Sequence, residues 1–409
     1  NDTSYGDLNG DGTIEGIKAE LTNKNGIGFT PIGSQNSFQG AFDGRGHEIR
    51  NIYINSNGIA GLFGNAPYAK IRNLGLTGDI SGLNVGGLAF VMLNGEITNC
   101  YNSAKITTTS TSSIAGGLVA NAMSCEITNC YNLGNIEGSG QLGGLSYSMS
   151  GCKVTNCYNS GNINTNSGFS GGLAALLSGE IVNCYNTGNI SCKSEPAGGL
   201  AYSIGRDSKI LNCYNTGKIK NVSAPSAGLA FEIRASTAAN FYNTGTISSE
   251  IPVIAGIVCS NSNSKITNTY YLNTSAPSGK YNATDVEGQI ESKTEQEMKS
   301  KTFTDLLNAN KRKINVDSTL INWIYEANQY PTLLDKYDAD FVIESIEDLV
   351  KLSNTVNSGV NYSGKTVILT KTLDFNNDNS YDNPNDTSYG DLNGDGTTEG
   401  IKAELTNKN

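Results

Sequence analysis

The tetrapeptide Asn-Cys-Tyr-Asn occurs five times, at Asn99–Asn102, Asn129–Asn132, Asn156–Asn159, Asn183–Asn186 and Asn212–Asn215. Degenerate forms extend the series. Asn240–Asn243 reads NFYN, NTYYLN starts at Asn268, and Asn73 in IRNLGL and Asn51 in IRNIYI hold the same place earlier in the chain. The first asparagines stand 22 to 30 residues apart, so nine units of nearly constant size follow one another. A unit of that length without helical periodicity cannot close a core alone and must stack on its neighbours.

Each unit also carries a Gly-Gly-Leu start, as at Gly86-Gly87-Leu88, Gly116-Gly117-Leu118, Gly143-Gly144-Leu145, Gly171-Gly172-Leu173 and Gly198-Gly199-Leu200. A unit then reads as three short β segments: GGLxxxx, xIxNCYN, and a short xIx after a Gly turn. The expectation is an all-β, right-handed parallel β-helix (β-solenoid) of about nine coils with short helical capping segments. At ~4.8 Å per coil the rod is on the order of 40 Å long. If Asn129 takes a left-handed bend, Ile127 and Cys130 both face inward. Equivalent asparagines then form an amide ladder, and Cys100, Cys130, Cys157, Cys184 and Cys213 form a buried thiol column with a packing role. Cys125 and Cys152 fall on neighbouring coils, where a disulfide is open but the coil spacing is longer than disulfide geometry prefers. Cys192 and Cys259 have no evident partner.

A larger repeat encloses the small one. Residues 385–409 duplicate residues 1–25 with Thr398 in place of Ile14 as the only change, at an offset of 384 residues. This reads as one period, plus overlap, of a tandem array, and selection for reach or multivalency explains such copies better than selection for an active site. A net charge of −10 argues against nucleic acid or an anionic membrane as the main partner. No apolar run reaches the ~18 residues that span a bilayer. With 48 glycines and 8 prolines, short strands and tight turns dominate and helix is a minority.

These residues resemble the GLUG-motif β-solenoid segments of large bacterial cell-surface proteins, some of which lie upstream of the catalytic domain in IgA-specific zinc peptidases. The motif corresponds to the Gly-Leu-x-Gly and Gly-Gly-Leu starts. Pro31–Gly33 and FxGxFDGxGHxIxN at Phe38–Asn51 look like the lead-in to such a solenoid, and Trp323 and Tyr330-Pro331-Thr332-Leu333 like its exit. The resemblance implies a secreted or cell-wall-attached stalk or adhesin at the bacterial surface, with no activity of its own. The expected parts are a calcium-loop segment (1–30), solenoid coils (31–275), a helix-containing exit cap (276–337) and the start of the next repeat (338–409). Helices are expected from about Thr294 to Asn310, where Thr294 and Glu297 have capping-box spacing, and at Ile346–Val356. Both read as covers for the solenoid's open ends. The strand Thr366–Leu369 reads as the start of the following solenoid, so it is expected to pair with a solenoid edge, head to tail between adjacent repeats or by folding back within one chain.

Three patterns could carry chemistry. Asp7, Asn9, Asp11, Thr13 and Glu15, duplicated as Asp391, Asn393, Asp395, Thr397 and Glu399, reproduce most of an EF-hand loop, and a structural calcium ion is expected. The twelfth position fails, since Lys18 replaces the bidentate Glu, so Glu15, Glu20 or a carboxylate from Asp374–Asp386 must complete the set. A polysaccharide-degrading site would need clustered carboxylates, yet the recurrent charged position reads Glu96, Glu126, Lys153, Glu180, Lys209, an ion-pair ladder. Asp43 and His47 read as a turn, and a single His excludes HExxH chemistry within these residues. Finally, if Cys130 points inward its neighbour points outward, so Tyr101, Tyr131, Tyr158, Tyr185, Tyr214 and Tyr242, continued by Tyr270, form an exposed stripe able to hold a glycan or a host surface protein.

Overall fold

The computed structural model describes residues 28–314, 320–333, 341–343, 346–357 and 367–369. The calcium-loop residues Asp7–Glu15 and Asp391–Glu399, and the segment Asp374–Asp386, lie outside the described residues. The chain divides into two units, Asn1–Leu333 and Leu334–Asn409.

The first unit is an all-β parallel solenoid. Its large sheet has 26 strands and starts at Ala41–Asn55; a second sheet has eight short strands, from Ile59–Ala60 to Ile254–Ala255. About eight turns result, against the nine coils expected, because nine equivalent asparagines bound eight intervals, and the small sheet accordingly has eight strands. Register follows the repeat: Ile127 pairs with Ile97, Glu126 with Lys153, and Tyr131 with both Tyr101 and Tyr158. Like residues therefore stack on like along the rod.

The bend behind this register is the asparagine. All nine first asparagines, Asn51 through Asn268, have φ between 51° and 57°, a left-handed conformation that Asn tolerates better than most residues. Their amides form the expected ladder, with Asn156 Nδ2 donating to Asn129 Oδ1 at 3.1 Å and Asn183 Nδ2 to Asn156 Oδ1 at 3.0 Å. The bend takes the next N–H out of the ladder of backbone bonds. Sulfur accepts it instead: Cys100 N–H donates to Cys130 Sγ and Cys130 N–H to Cys157 Sγ, each at 3.4 Å. All five column cysteines are fully buried core filler, and the thiols of Cys130, Cys157, Cys184 and Cys213 each also accept a donor that would otherwise be orphaned. All nine cysteines are free thiols, including Cys125 and Cys152.

The second Asn of each motif also faces inward and makes a ladder of its own. Asn102, Asn132, Asn159, Asn186 and Asn215 are fully buried, and each side-chain amide donates to the carbonyl oxygen of the next at 2.7–2.9 Å. Against this ladder lies the Gly-Gly-Leu segment, which is a corner and not the strand start the sequence suggests. Its first Gly closes a strand of the small sheet, as in Gln141–Gly143, and the large sheet resumes only at Ser146. A Cβ on Gly144 would meet Gly172 O at 1.9 Å and Asn159 Cγ at 2.5 Å. Glycine is needed there for close approach, not for an unusual φ.

One helix was expected from Thr294 to Asn310, and two form: α1 (Glu295–Met298) and α2 (Lys301–Lys313). The capping box at Thr294 and Glu297 is present. The break falls at Ser300, whose hydroxyl accepts from Phe303 N–H and so caps a second helix three residues after the first has ended. In the second unit, Phe341–Ile343 pairs in parallel with Val367–Leu369, and α3 (Ile346–Asn357) lies between them in sequence.

Candidate binding face

On the large sheet, side chains alternate in and out, so between inward Cys130 and inward Asn132 the ring of Tyr131 must face outward. The strand spacing then sets the ring spacing. Tyr101, Tyr131, Tyr158, Tyr185, Tyr214 and Tyr242 stack in one column, centroids 4.6–5.1 Å apart and planes within 8° of parallel. These distances fall at the short end of the range for favourable aromatic pairs.

The stripe is not exposed along its length, which corrects the sequence-based expectation. Tyr101, Tyr131 and Tyr158 are half-buried, whereas Tyr185, Tyr214, Tyr242 and Tyr270 are 8%, 4%, 0% and 2% exposed. The cause is the exit segment. Met298, Phe303 and Leu307 from α1 and α2, with Ile321, Trp323 and Leu333, pack onto the last four rings as one apolar cluster. Trp323 sits 5.4 Å from Tyr242 and 5.8 Å from Tyr214, and Phe303 meets Tyr270 edge-on at 5.2 Å.

Polar bonds fix this cover in register with the coils. Asn240 Nδ2 donates to Leu307 O and Asn212 Nδ2 to Ile321 O, each at 3.1 Å, so the outer asparagine ladder supplies anchors for the cover. The Tyr242 hydroxyl donates to Pro331 O, and Asn310 Nδ2 donates to the Tyr270 hydroxyl at 2.9 Å. Burial pushes the Tyr242 hydroxyl well above its ordinary pKa and that of Tyr270 up to about 12. The helices α1 and α2 therefore cover a lateral face of the solenoid, where the sequence suggested covers for its ends. Amphipathicity gives each helix an apolar side but does not say which surface receives it.

Among the described residues, the cover leaves Tyr101, Tyr131 and Tyr158 half-buried, with Tyr158 at its margin, beside the amides of Asn99, Asn129 and Asn156. At the first ring of this strip the Tyr101 hydroxyl donates to Glu48 Oε1, and Arg50 Nε donates to Glu48 Oε2 at 2.5 Å. The Tyr101 hydroxyl holds the Glu48 carboxyl below the usual carboxylate range, helped by Arg50, while burial and then Glu48 raise the Tyr101 pKa to about 12. Rings that offer a π face beside carboxamides that donate and accept can stack on and hydrogen-bond a polyhydroxylated ligand.

The charged ladder is in register as Lys70, Glu96, Glu126, Lys153, Glu180 and Lys209, with ion pairs Lys70–Glu96 at 3.2 Å and Lys209–Glu180 at 3.9 Å. Both pairs are exposed, and such pairs contribute little to stability. The Asp43 carboxylate accepts from Asn73 Nδ2 at 3.0 Å, Arg45 N–H at 2.9 Å and Arg72 Nε at 3.1 Å. It pins the turn that contains Arg45 at φ 52°. Among the described residues, no group of three or more His, Cys, Asp or Glu side chains is placed to hold a metal ion.

No protein-family description matches the chain, and no curated protein does. Among solved structures, it is similar to a crystal structure described as a "putative immunoglobulin A1 protease" from Bacteroides ovatus. The two share 17% identity at a TM-score of 0.30, over 72% of this chain and 77% of that one. A superposition this loose carries no argument about either fold or activity.

Proposed function

We propose that the chain is a module of a tandem-repeat bacterial surface protein of the GLUG-motif kind, secreted or wall-attached, where it serves as stalk or adhesin and not as an enzyme. The near-identity of residues 385–409 with residues 1–25 carries this reading. Stacked like-on-like coils suit the role, since each coil adds length and an identical strip of surface. The test is on intact source cells: antibody against residues 28–333 should label the surface. Mild protease treatment should release fragments in a ladder spaced by about one 384-residue period. Purely intracellular labelling, or a parent with one copy, would sink the reading.

A structural calcium ion in the Asp7/Asn9/Asp11/Thr13/Glu15 loop and its Asp391/Asn393/Asp395/Thr397/Glu399 copy belongs to the same proposal. An ion bound only by the folded state stabilises it. Calcium and chelator melts should differ by several degrees, and identical melts would remove the ion from the account. A second reading, a binding solenoid for glycan or host surface protein, is favoured by the half-buried Tyr101–Tyr158 strip. A glycan and host-protein array should then show binding that Tyr131→Ala abolishes; binding untouched by that change would refute it.

A further inference from the structure

We infer that the tyrosine column and its outer asparagine ladder read extended polypeptide, and that the rungs beyond the cover take such a segment from another protein. This names the partner of the binding-solenoid reading and rests on it.

The cover shows the mode of reading, since two successive outer asparagines hold both polar groups of one of its backbone residues. Asn183 Oδ1 accepts from Ile321 N–H at 3.3 Å, and Asn212 Nδ2 donates to Ile321 O at 3.1 Å and to Asn183 Oδ1 at 2.7 Å. An acceptor and a donor one coil apart thus bracket the N–H and C=O of a single residue, whatever its side chain. Side chains are read by the rings, because Ile321 and Trp323 lie in the apolar cluster built on Tyr185, Tyr214 and Tyr242. A main chain supplies this N–H and C=O pair, where a chain of simple hexoses offers hydroxyls instead.

The same atoms continue along the rod. Asn99, Asn129 and Asn156 each use one amide hydrogen and one carbonyl lone pair on the ladder, at 3.0–3.2 Å. Among the described residues, the second hydrogen and second lone pair of each have no protein partner, and water reaches all three, Asn99 being exposed and the others half-buried. These rungs continue an interface that the cover already occupies, with Tyr158 at its margin.

One outward position differs between the two stretches. Before each outer Asn stand Val182, Leu211 and Ala239 under the cover, where Leu320 joins them in one buried cluster, but Thr98, Thr128 and Thr155 beyond it. A Leu laid on these hydroxyls would remove their water without replacing it. The fitting segment is therefore extended and reads Thr-Ile-x-Trp or its like, where the cover reads Leu320-Ile321-Asn322-Trp323.

Two fluorescent peptides test this on the full chain: the sequence of residues 320–333 and its Leu320→Thr form. Titrated to about 1 mM, comparable with the effective concentration of a segment tethered in the same chain, the Leu320→Thr peptide should bind saturably and at least about threefold tighter than the unaltered one. Hydrogen exchange should place the gained protection on residues 97–102, 127–132 and 154–159 and leave Lys301–Lys313 unchanged. Asn129→Gly keeps the bend but removes the amide shared by the Asn99/Asn129 and Asn129/Asn156 brackets, and methylation of the peptide nitrogen at Ile321 removes the donor. Each should weaken binding at least about fivefold. No binding by either peptide, equal or tighter binding of the unaltered form, or indifference to both Asn129→Gly and the methyl group would overturn the inference. So would protection on residues 183–242 with faster exchange in Lys301–Lys313, which would mean that the peptide displaces the cover. Glycan binding that Tyr131→Ala abolishes, without peptide binding, would overturn it while the binding-solenoid reading stands; absence of both would sink the two together.

Discussion

Replacing Asn159 separates the two asparagine ladders energetically. Its Oδ1 accepts from Asn132 Nδ2 at 2.8 Å, and its Nδ2 donates to Asn186 Oδ1 and to Gly161 O, each at 2.9 Å, in a fully buried site. Asn159→Ala removes all three bonds and leaves Asn186 Oδ1 and Gly161 O without this donor. A buried group left unpaired costs about 1–3 kcal/mol, and with the cavity the expected loss is about 3–5 kcal/mol. Asn156 on the outer ladder is half-exposed, so water replaces its amide partners. Its residual requirement is the left-handed backbone at φ 54°, worth about 1–2 kcal/mol against Ala and nearly nothing against Gly. The order of damage should be Asn159→Ala, then Asn156→Ala, then Asn156→Gly. Urea unfolding followed by circular dichroism gives the stability, with hydrogen exchange to confirm that the loss starts in the coil at residue 159, because solenoids need not unfold in one step. A loss under about 1 kcal/mol for Asn159→Ala, or one equal to that of Asn156→Ala, would refute the view that the inner amides form a mutually dependent network.

Gly144→Ala should disrupt the same layer from the other side, lowering the midpoint of urea unfolding by an amount comparable with Asn159→Ala, since its Cβ collides with Gly172 O and Asn159 Cγ; an unchanged midpoint would show that the corner can relax. Trp323→Ala should cost about 3–5 kcal/mol of local stability in the cover, raising exchange in Lys301–Lys313 while residues 70–150 stay protected. Uniform loosening of the whole solenoid would instead mean that cover and coils unfold together. The cover should also loosen in alkali: Tyr242 and Tyr270 have folded pKa values above that of an unfolded tyrosine, so their contribution is fully present below about pH 10 and is lost as pH rises through the folded value, about 12 for Tyr270. A pH titration followed by Trp323 fluorescence should report the release in that window, and Tyr242→Phe should shift its onset upward.

The coil, its asparagine bend and its inward cysteines were legible in the sequence because each depends on a residue type with a narrow conformational or steric range, repeated in place. Asn at φ near +54° and a small apolar residue in a tight column leave few alternatives. The inner ladder was less legible. Asn102 and its equivalents are as regular as Asn99, but the letter does not say that an amide is buried on a partner one coil away. The cysteines read as filler, and their second use, accepting the N–H displaced by the bend, follows from the geometry alone. The tyrosine stripe was read correctly as an outward stack and wrongly as exposed throughout. Its covering depends on where residues 295–333 return, a long-range choice that periodicity does not encode. Trp323 and Tyr330–Leu333 stood out in the sequence as an exit signal, yet the surface they seal, Tyr185 to Tyr270, became clear only when the rings were placed beside them.

Native thiol labelling tests the central claim most directly, because the inward cysteine column and the outward tyrosine column are two consequences of one register. Burial holds the Cys157 and Cys213 thiols well above their ordinary pKa and leaves no route for reagent to Cys100, Cys130, Cys157, Cys184 or Cys213. With a small maleimide and peptide mass mapping, all five should stay unmodified in the folded chain and all five should react once it is unfolded in denaturant. Rapid native modification of Cys130 or Cys157 would place the column on the outer surface, turn the tyrosines inward, and contradict the coil as described.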